Sequence, residues 1–228
     1  MTDLLQHQID YYSARAPEYD RWFYRQGRYD RGPAFKRQWE SEAQIVREQL
    51  LNAPRRAQIL EMAPGTGIWT EQLIKIGDQV TALDASPEMI AINRAKVGSD
   101  KVSYIETDLF TWRAQRQYDM VFFGFWLSHV PGDKLASFLG AVHDALAPGG
   151  RLFFVDSQEV DTSHTRGEAE DLGGELQQRV LSDGRLYEIV KVYYDPAQLT
   201  GILRESGFEI EVLSTPNFFI YADGLKPI

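Results

Sequence analysis

The sequence predicts an α/β domain, a mostly parallel sheet with helices on both faces. Three observations predict it. From residue 57 onward, short apolar runs alternate with helical stretches. Helical spacers between such runs imply right-handed crossovers and therefore parallel strands. A small-residue turn, Ala63-Pro64-Gly65-Thr66-Gly67, then joins the first run to a helix, as at the ligand-binding end of an open sheet.

Five parallel strands are expected at 58–62, 79–83, 102–106, 118–124 and 151–155. Pro148-Gly149-Gly150 makes a tight turn into the fifth. Residues 159–175 are polar and glycine-bearing and read as a loop. Residues 179–194 alternate around Ser182-Asp183-Gly184 and read as a β-hairpin. Asp195 caps a helix with Pro196 at its first position and Gly207 at its end. Two last strands are expected at 208–213 and 218–222.

Residues 1–56 read as helices joined by an aromatic and arginine-rich segment. Residues 34–52 form the last of them, with Ile45, Val46, Gln49 and Leu50 near helical spacing. One compact domain is expected: an N-terminal helical segment over 1–56, then a body over 57–228 carrying a hairpin insertion near 176–194.

The chain has 228 residues, 43% hydrophobic and 25% charged, which suits one full core. Its net charge of −9 repels phosphate backbones, so a small metabolite is expected and a nucleic acid is not. Without cysteine there is neither disulfide framework nor thiolate metal site. The polar start carries no secretory pattern, and no apolar stretch of about 18 residues appears. A cytoplasmic protein without membrane contact is expected. His7, His129, His143 and His164 are scattered, so no metal is expected.

Four features fall at expected strand ends. Glu61 precedes the glycine turn, and Gly65 and Gly67 let the backbone pass close to a ligand. Asp84 ends the second strand, where a carboxylate can accept both hydroxyls of a ribose. Asp108 follows the third, where a carboxylate could receive an adenine amino group, beside Leu109 and Phe110. Phe122-Phe123-Gly124-Phe125-Trp126 ends the fourth as an apolar wall. Each alone has a bland reading: a tight turn, or a helix cap at Asp84 or Asp108. Together, in order, they point to S-adenosylmethionine (SAM). A nicotinamide dinucleotide would want a third glycine where Thr70 stands, and SAM has no phosphate to place at the helix start.

These residues resemble the class I SAM-dependent methyltransferases, over nearly the whole chain. The resemblance implies a Rossmann-like, seven-stranded sheet with its last strand antiparallel. It implies SAM as cofactor, S-adenosylhomocysteine (SAH) as product, and an enzyme of the EC 2.1.1 class. Cofactor contacts are expected from Tyr12, Tyr19, Glu61, Ala63, Gly65, Gly67, Trp69, Asp84, Ala85, Met89, Asp108, Leu109 and Phe125. Pro64 departs from the small residue common at its position. Within the family the chain looks similar to phosphonate O-methyltransferases, through YYSARAPEYD, TGIWT, VFFGFWLSHVP and DGRLYEIVKVYYDPAQLT. That likeness implies that His129, Arg179 and Lys191 hold an anionic group. It also implies an acceptor-side tyrosine in an N-terminal lid, either Tyr24 or Tyr29.

Chemistry frames the acceptor side independently. An anionic oxygen needs no base, only cations that hold and orient it. A hydroxyl or amine would benefit from a base such as His129, which follows the fourth strand. Arg179, Arg185 and Lys191 lie on the hairpin, where the bland reading is a solvated face paired to Glu188. A two-residue turn would put Arg179 and Lys191 on opposite faces. The expected three-residue loop with a glycine bulge pairs Leu181 with Arg185, and puts Arg179, Arg185, Tyr187 and Lys191 on one face. Tyr11, Tyr12, Tyr19, Trp22, Phe23, Tyr24 and Tyr29, interleaved with arginines, read as a lid over both ligands, with Tyr12, Tyr19 or Arg15 offering a donor to the cofactor carboxylate. The expected function is O-methylation of a small phosphonate or carboxylate. The alternatives are a methyltransferase for a neutral hydroxyl or amine with His129 as base, and a non-catalytic SAM-binding protein.

Overall fold

A computed structural model describes residues 2–159 and 169–228. His164 and most of the expected loop over 159–175 lie outside the described residues.

The strands are β1 (Arg56–Met62), β2 (Gly77–Asp84), β3 (Val102–Glu106), β4 (Tyr118–Gly124), β5 (Leu146–Ser157), β6 (Ala169–Gly173), β7 (Leu176–Val180), β8 (Leu186–Val190), β9 (Val212–Ser214) and β10 (Phe219–Leu225). The helices are α1 (Thr2–Arg15), α2 (Tyr19–Phe23), α3 (Pro33–Leu51), α4 (Thr70–Ile76), α5 (Pro87–Val97), α6 (Gly132–Ala145) and α7 (Pro196–Glu205). No described helix is long and apolar enough to cross a membrane.

Seven strands form one sheet in the order β3-β2-β1-β4-β5-β10-β9. Strands β1 to β5 pair in parallel, and β10 runs antiparallel to β5 and β9. The order reverses between β1 and β4, which opens a crevice at their carboxyl ends. Central strands are covered on both faces, so they read as continuous apolar runs. Ile59, Leu60, Met62 and Val121 to Phe123 are almost wholly buried. Leu60, Phe123 and Phe154 join one core with α6 and α7, while Ile59, Phe122 and Phe153 join the other with α3 and α4. In α3, Val46 and Leu50 are buried, whereas Ile45 is exposed.

Local signals set several boundaries. Ser86 caps α5 by accepting from the Met89 amide at 3.2 Å, and Gly98 ends that helix in the left-handed region. Asp195 caps α7 by accepting from the Gln198 amide at 3.0 Å, as expected.

The insertion is larger than a hairpin. Its strands β6, β7 and β8 form a separate antiparallel sheet. Part of the expected loop is therefore strand, since β6 finds a partner in β7 that its polar composition does not announce. The first strand of the hairpin is Leu176–Val180, so pairing starts upstream of the alternation at Arg179. Its register is the bulged one: Arg179 pairs with Tyr187, and the Leu181 amide donates to the Arg185 carbonyl at 3.0 Å. Gly184 takes the positive φ of 86° that this loop requires. The expected strand over 208–213 shrinks to Val212–Ser214. Upstream of it, among the described residues, only Glu209 bridges to Leu225.

Candidate active site

Two cavities meet at the carboxyl edge of the sheet. The larger, about 260 Å³, is lined by Ala63, Gly65, Asp84, Ala85, Met89, Asp108, Leu109, Phe110, Gly124, Phe125 and Trp126, and roofed by α1 and Tyr19. Most of the expected cofactor contacts thus converge on one volume. Asp84 is oriented by the amides of Gly65 and Ser86, at 3.1 and 2.9 Å. Ser86 caps α5, so Asp84 is free of that task. Asp108 accepts from the Phe110 amide at 2.9 Å, which holds the loop that carries Leu109.

The backbone is strained where it lines this cavity. Ala63 and Phe125, at the ends of β1 and β4, have φ of 53° and 56°. A side chain in this region costs about 1–2 kcal/mol, and such strain collects at ligand sites. Gly65 has φ of 54° and nothing within 4 Å of where its Cβ would stand, leaving room for a ligand. Gly67 is not among the residues lining this cavity; a Cβ there would meet Asn93 Oδ1 at 2.8 Å. Asn93 in turn donates to the Gly65 carbonyl at 3.2 Å and to Thr70 at 2.9 Å. Gly67 thus serves the turn by admitting its brace.

A smaller cavity under the turn is lined by Tyr19, Glu61, Ala63, Gly65, Trp69 and Phe125, among others. Glu61 is buried, its Oε2 accepting from Thr70 at 2.7 Å. Its Oε1 and the indole nitrogen of Trp69 are buried without partners. Burial pushes the Glu61 carboxyl up to about 8, the Thr70 hydrogen bond opposing and Asp84 adding. Burial likewise raises Asp84 to about 6, against its backbone hydrogen bonds. The buried Glu61 carboxyl and the half-buried Asp84 carboxyl would each be stabilised by positive charge or donated hydrogens. An adenosyl amino acid offers both: ribose hydroxyls for Asp84 and an ammonium for Glu61. The residues fit SAM.

The second cavity, about 50 Å³, is lined by Tyr11, Tyr12, Arg15, Tyr19, Trp22, Arg28, Tyr29, Phe125, His129, Ser157, Arg179, Val180, Ile189 and Lys191. It shares Tyr12, Tyr19 and Phe125 with the larger one. The structure brings His129, Arg179 and Lys191 together here, along with Tyr29. Tyr24 does not join them; it packs edge-on against Phe23 in the core. Tyr12 also belongs as much to this cavity as to the cofactor's. Arg185 stays outside, paired to Asp183 at 2.7 Å on the exposed tip.

His129 is fixed at both nitrogens. Nδ1 lies 2.7 Å from the Val190 carbonyl, which can only accept, so Nδ1 carries the hydrogen. Nε2 lies 2.6 Å from the Tyr12 hydroxyl. Burial, with Lys191 nearby, holds the imidazole well below its usual pKa, so it is neutral and Tyr12 donates to it. Lys191 donates to Ser128 Oγ at 2.7 Å and lies 3.6 Å from Asp156. Burial lowers it to about 8, Asp156 opposing and Arg179 adding.

Sequence reasoning missed Gln8, Asp156 and Arg28. Gln8 donates to the His129 carbonyl at 3.0 Å and accepts from the Val190 amide at 3.1 Å. Asp156 accepts from the Ser128 amide at 2.9 Å. Arg28 pairs with Glu18 at 3.3 Å. Gln8 and Arg28 lie in no strand-end motif, so only the packing reveals them, whereas Asp156 sits at the carboxyl end of β5, a signal that could have found it. The N-terminal segment is also tied on the cofactor side. Asp20 accepts from Thr66 and pairs with Lys96, both at 2.6 Å. Among the described residues no cluster of three or more His, Asp or Glu could hold a metal.

Comparison with known proteins agrees. The family described as a methyltransferase domain matches residues 35–213. A structure of DhpI with SAH is 37% identical, covering 100% of this chain and 98% of that one, with a TM-score of 0.80. A DhpI-SAM-HEP complex is 38% identical over 97% of both chains, again at 0.80. The ubiquinone biosynthesis O-methyltransferase of Xanthomonas axonopodis pv. citri (strain 306) is 27% identical over 165 residues, 71% of this chain. The matched region spans 66% of that relative's length. With the match running from α3 to β9 and the likeness to DhpI running end to end, the chain belongs to the class I SAM-dependent methyltransferases.

Proposed function

We propose that the protein transfers the methyl group of SAM to an anionic oxygen of a small acid, a phosphonate or carboxylate. One observation carries this reading. The small cavity beside the cofactor site is lined by Arg15, Arg28, Arg179 and Lys191, with no carboxylate among its lining residues, in a chain of net charge −9. Bound SAM supplies a methyl already activated by its sulfonium. The protein's part is to hold the acceptor in line and keep water out. Arg179 and Lys191 would grip the anion, Tyr29 would line its far side, and Tyr12 would stand where the two cavities join. An anionic oxygen needs no base, which agrees with a His129 whose Nε2 is already occupied. In the similar protein DhpI, a complex with both SAM and HEP further supports a small acceptor beside the cofactor.

A base mechanism on a neutral hydroxyl or amine would need Nε2 free and able to take a proton. The Tyr12 hydroxyl occupies Nε2, and burial with the neighbouring Lys191 opposes its protonation. The decisive assay measures SAH formation over small phosphonic and carboxylic acids, with alcohols and amines alongside. Turnover confined to acids supports the reading; turnover confined to neutral acceptors sinks it. SAM binding with no SAH formed from any acceptor would favour the non-catalytic alternative.

A further inference from the structure

We propose that Arg15 makes the acceptor pocket select for negative charge, its guanidinium forming an ion pair that only the acceptor completes. This rests on the acceptor reading above. Arg15 ends α1 and sits among three rings, 5.5 Å from Tyr11, 5.3 Å from Tyr19 and 5.4 Å from Trp22. Rings against a guanidinium stabilise its charge yet leave its N–H edge for an acceptor in plane. Its Nε is buried and donates to nothing. Among the described residues no carboxylate lies within ion-pair distance of it. Burying a cation without a counter-charge is costly, and a ligand that supplies one recovers that cost.

The other cations of the pocket are differently placed. Arg28 has Glu18 and the Tyr29 hydroxyl, Lys191 has Asp156 and Ser128, and Arg179 donates to Gln177 at 2.9 Å. Arg15 therefore adds the charge excess on the lid side. It lines the small cavity and neither the larger one nor the one beneath the glycine turn. That placement assigns it to the acceptor rather than to the cofactor's carboxylate. Because Arg15 rides on α1, recognition of charge and seating of the lid become one event.

The test is calorimetry on SAH-saturated protein, with methylphosphonate as the anionic probe and dimethyl methylphosphonate as its neutral control. Wild type is expected to bind only the anion. Failure to bind it would defeat the acceptor reading itself, whatever Arg15 does. Arg15→Gln is expected to weaken methylphosphonate by about tenfold to a hundredfold, the range for one charge-assisted hydrogen bond, with SAH affinity unchanged. Methylphosphonate bound as tightly as in wild type overturns the proposal. So does a tenfold loss of SAH affinity, which would put the guanidinium on the cofactor. Should Arg15→Gln fail to fold, Arg15→Met decides: it keeps a long side chain among the rings but removes the charge. Weakened methylphosphonate binding with intact SAH binding is expected, and unchanged binding overturns the role.

Discussion

The hydroxyl of Tyr12 donates to Nε2 of His129 across 2.6 Å, joining α1 to the loop after the fourth strand. Contacts of this kind close the site, and they set what each substitution should do.

Tyr12→Phe removes the hydrogen bond but keeps the ring. Its acceptor kcat/KM should fall about tenfold, in line with one buried hydrogen bond. SAM affinity should change less than threefold in calorimetry. A variant as active as wild type would deny the contact a role.

His129 also predicts a pH dependence of stability. Its folded pKa lies below its unfolded value near 6.5, so the unfolded chain takes up that proton first as pH falls. The stability tied to this site is complete above about pH 6.5 and declines below it. Glu61, with its raised pKa, acts in the opposite direction over the same range. The informative comparison is therefore with a variant. Between pH 6.5 and 5, the melting temperature of wild type should drop relative to that of His129→Gln. Parallel curves would contradict the buried neutral imidazole.

Glu61 should couple cofactor binding to protons. Below about pH 8 the free site holds a protonated carboxyl. A bound ammonium favours the charged form, so SAM binding should release a proton. SAM affinity should then rise between pH 6 and 7.5, by at most about tenfold per unit. Calorimetry in buffers of different ionisation enthalpy reads the proton count. Glu61→Gln should abolish the release; an unchanged count would locate the titrating group elsewhere.

Gly67→Ala should weaken SAM without touching it. The added methyl would displace Asn93, which braces Gly65 and Thr70, and the residue's φ of 92° disfavours any side chain. A SAM affinity loss of about tenfold or more is expected, and Asn93→Ala alone should show part of that loss if the displaced brace is a cause. An Asn93→Ala variant that binds SAM as wild type does would assign the whole effect to φ.

Glu42 predicts a stability effect apart from the site. Its carboxylate accepts from Thr215 Oγ1 and Asn217 Nδ2 at 2.6 Å, and from the amides of Asn217 and Phe218 at 3.0 and 2.9 Å. Burial works to raise its pKa, but these bonds outweigh burial and lower it. Glu42→Ala orphans that turn and should cost about 2–4 kcal/mol in urea unfolding. SAM affinity should stay as in wild type at temperatures where the variant is folded.

The sequence by itself determined the parallel sheet and the cofactor crevice. Both arise from short-range patterns. Central strands are buried on two faces and so read as apolar runs, and Gly65, Asp84 and Asp108 each sit at a strand's end because chain order and strand direction place them there. The bulged register was legible too, since Gly184 is the residue a left-handed loop position requires. Only the tertiary structure decided that Tyr29 and not Tyr24 lines the small cavity with Arg179 and Lys191, that β6 completes a second sheet, and that Gln8, Asp156 and Arg15 surround His129 and Lys191. These depend on contacts between segments far apart in the chain, such as α1 with β8. A side chain's partners across such distances leave no periodic trace in the chain that carries it.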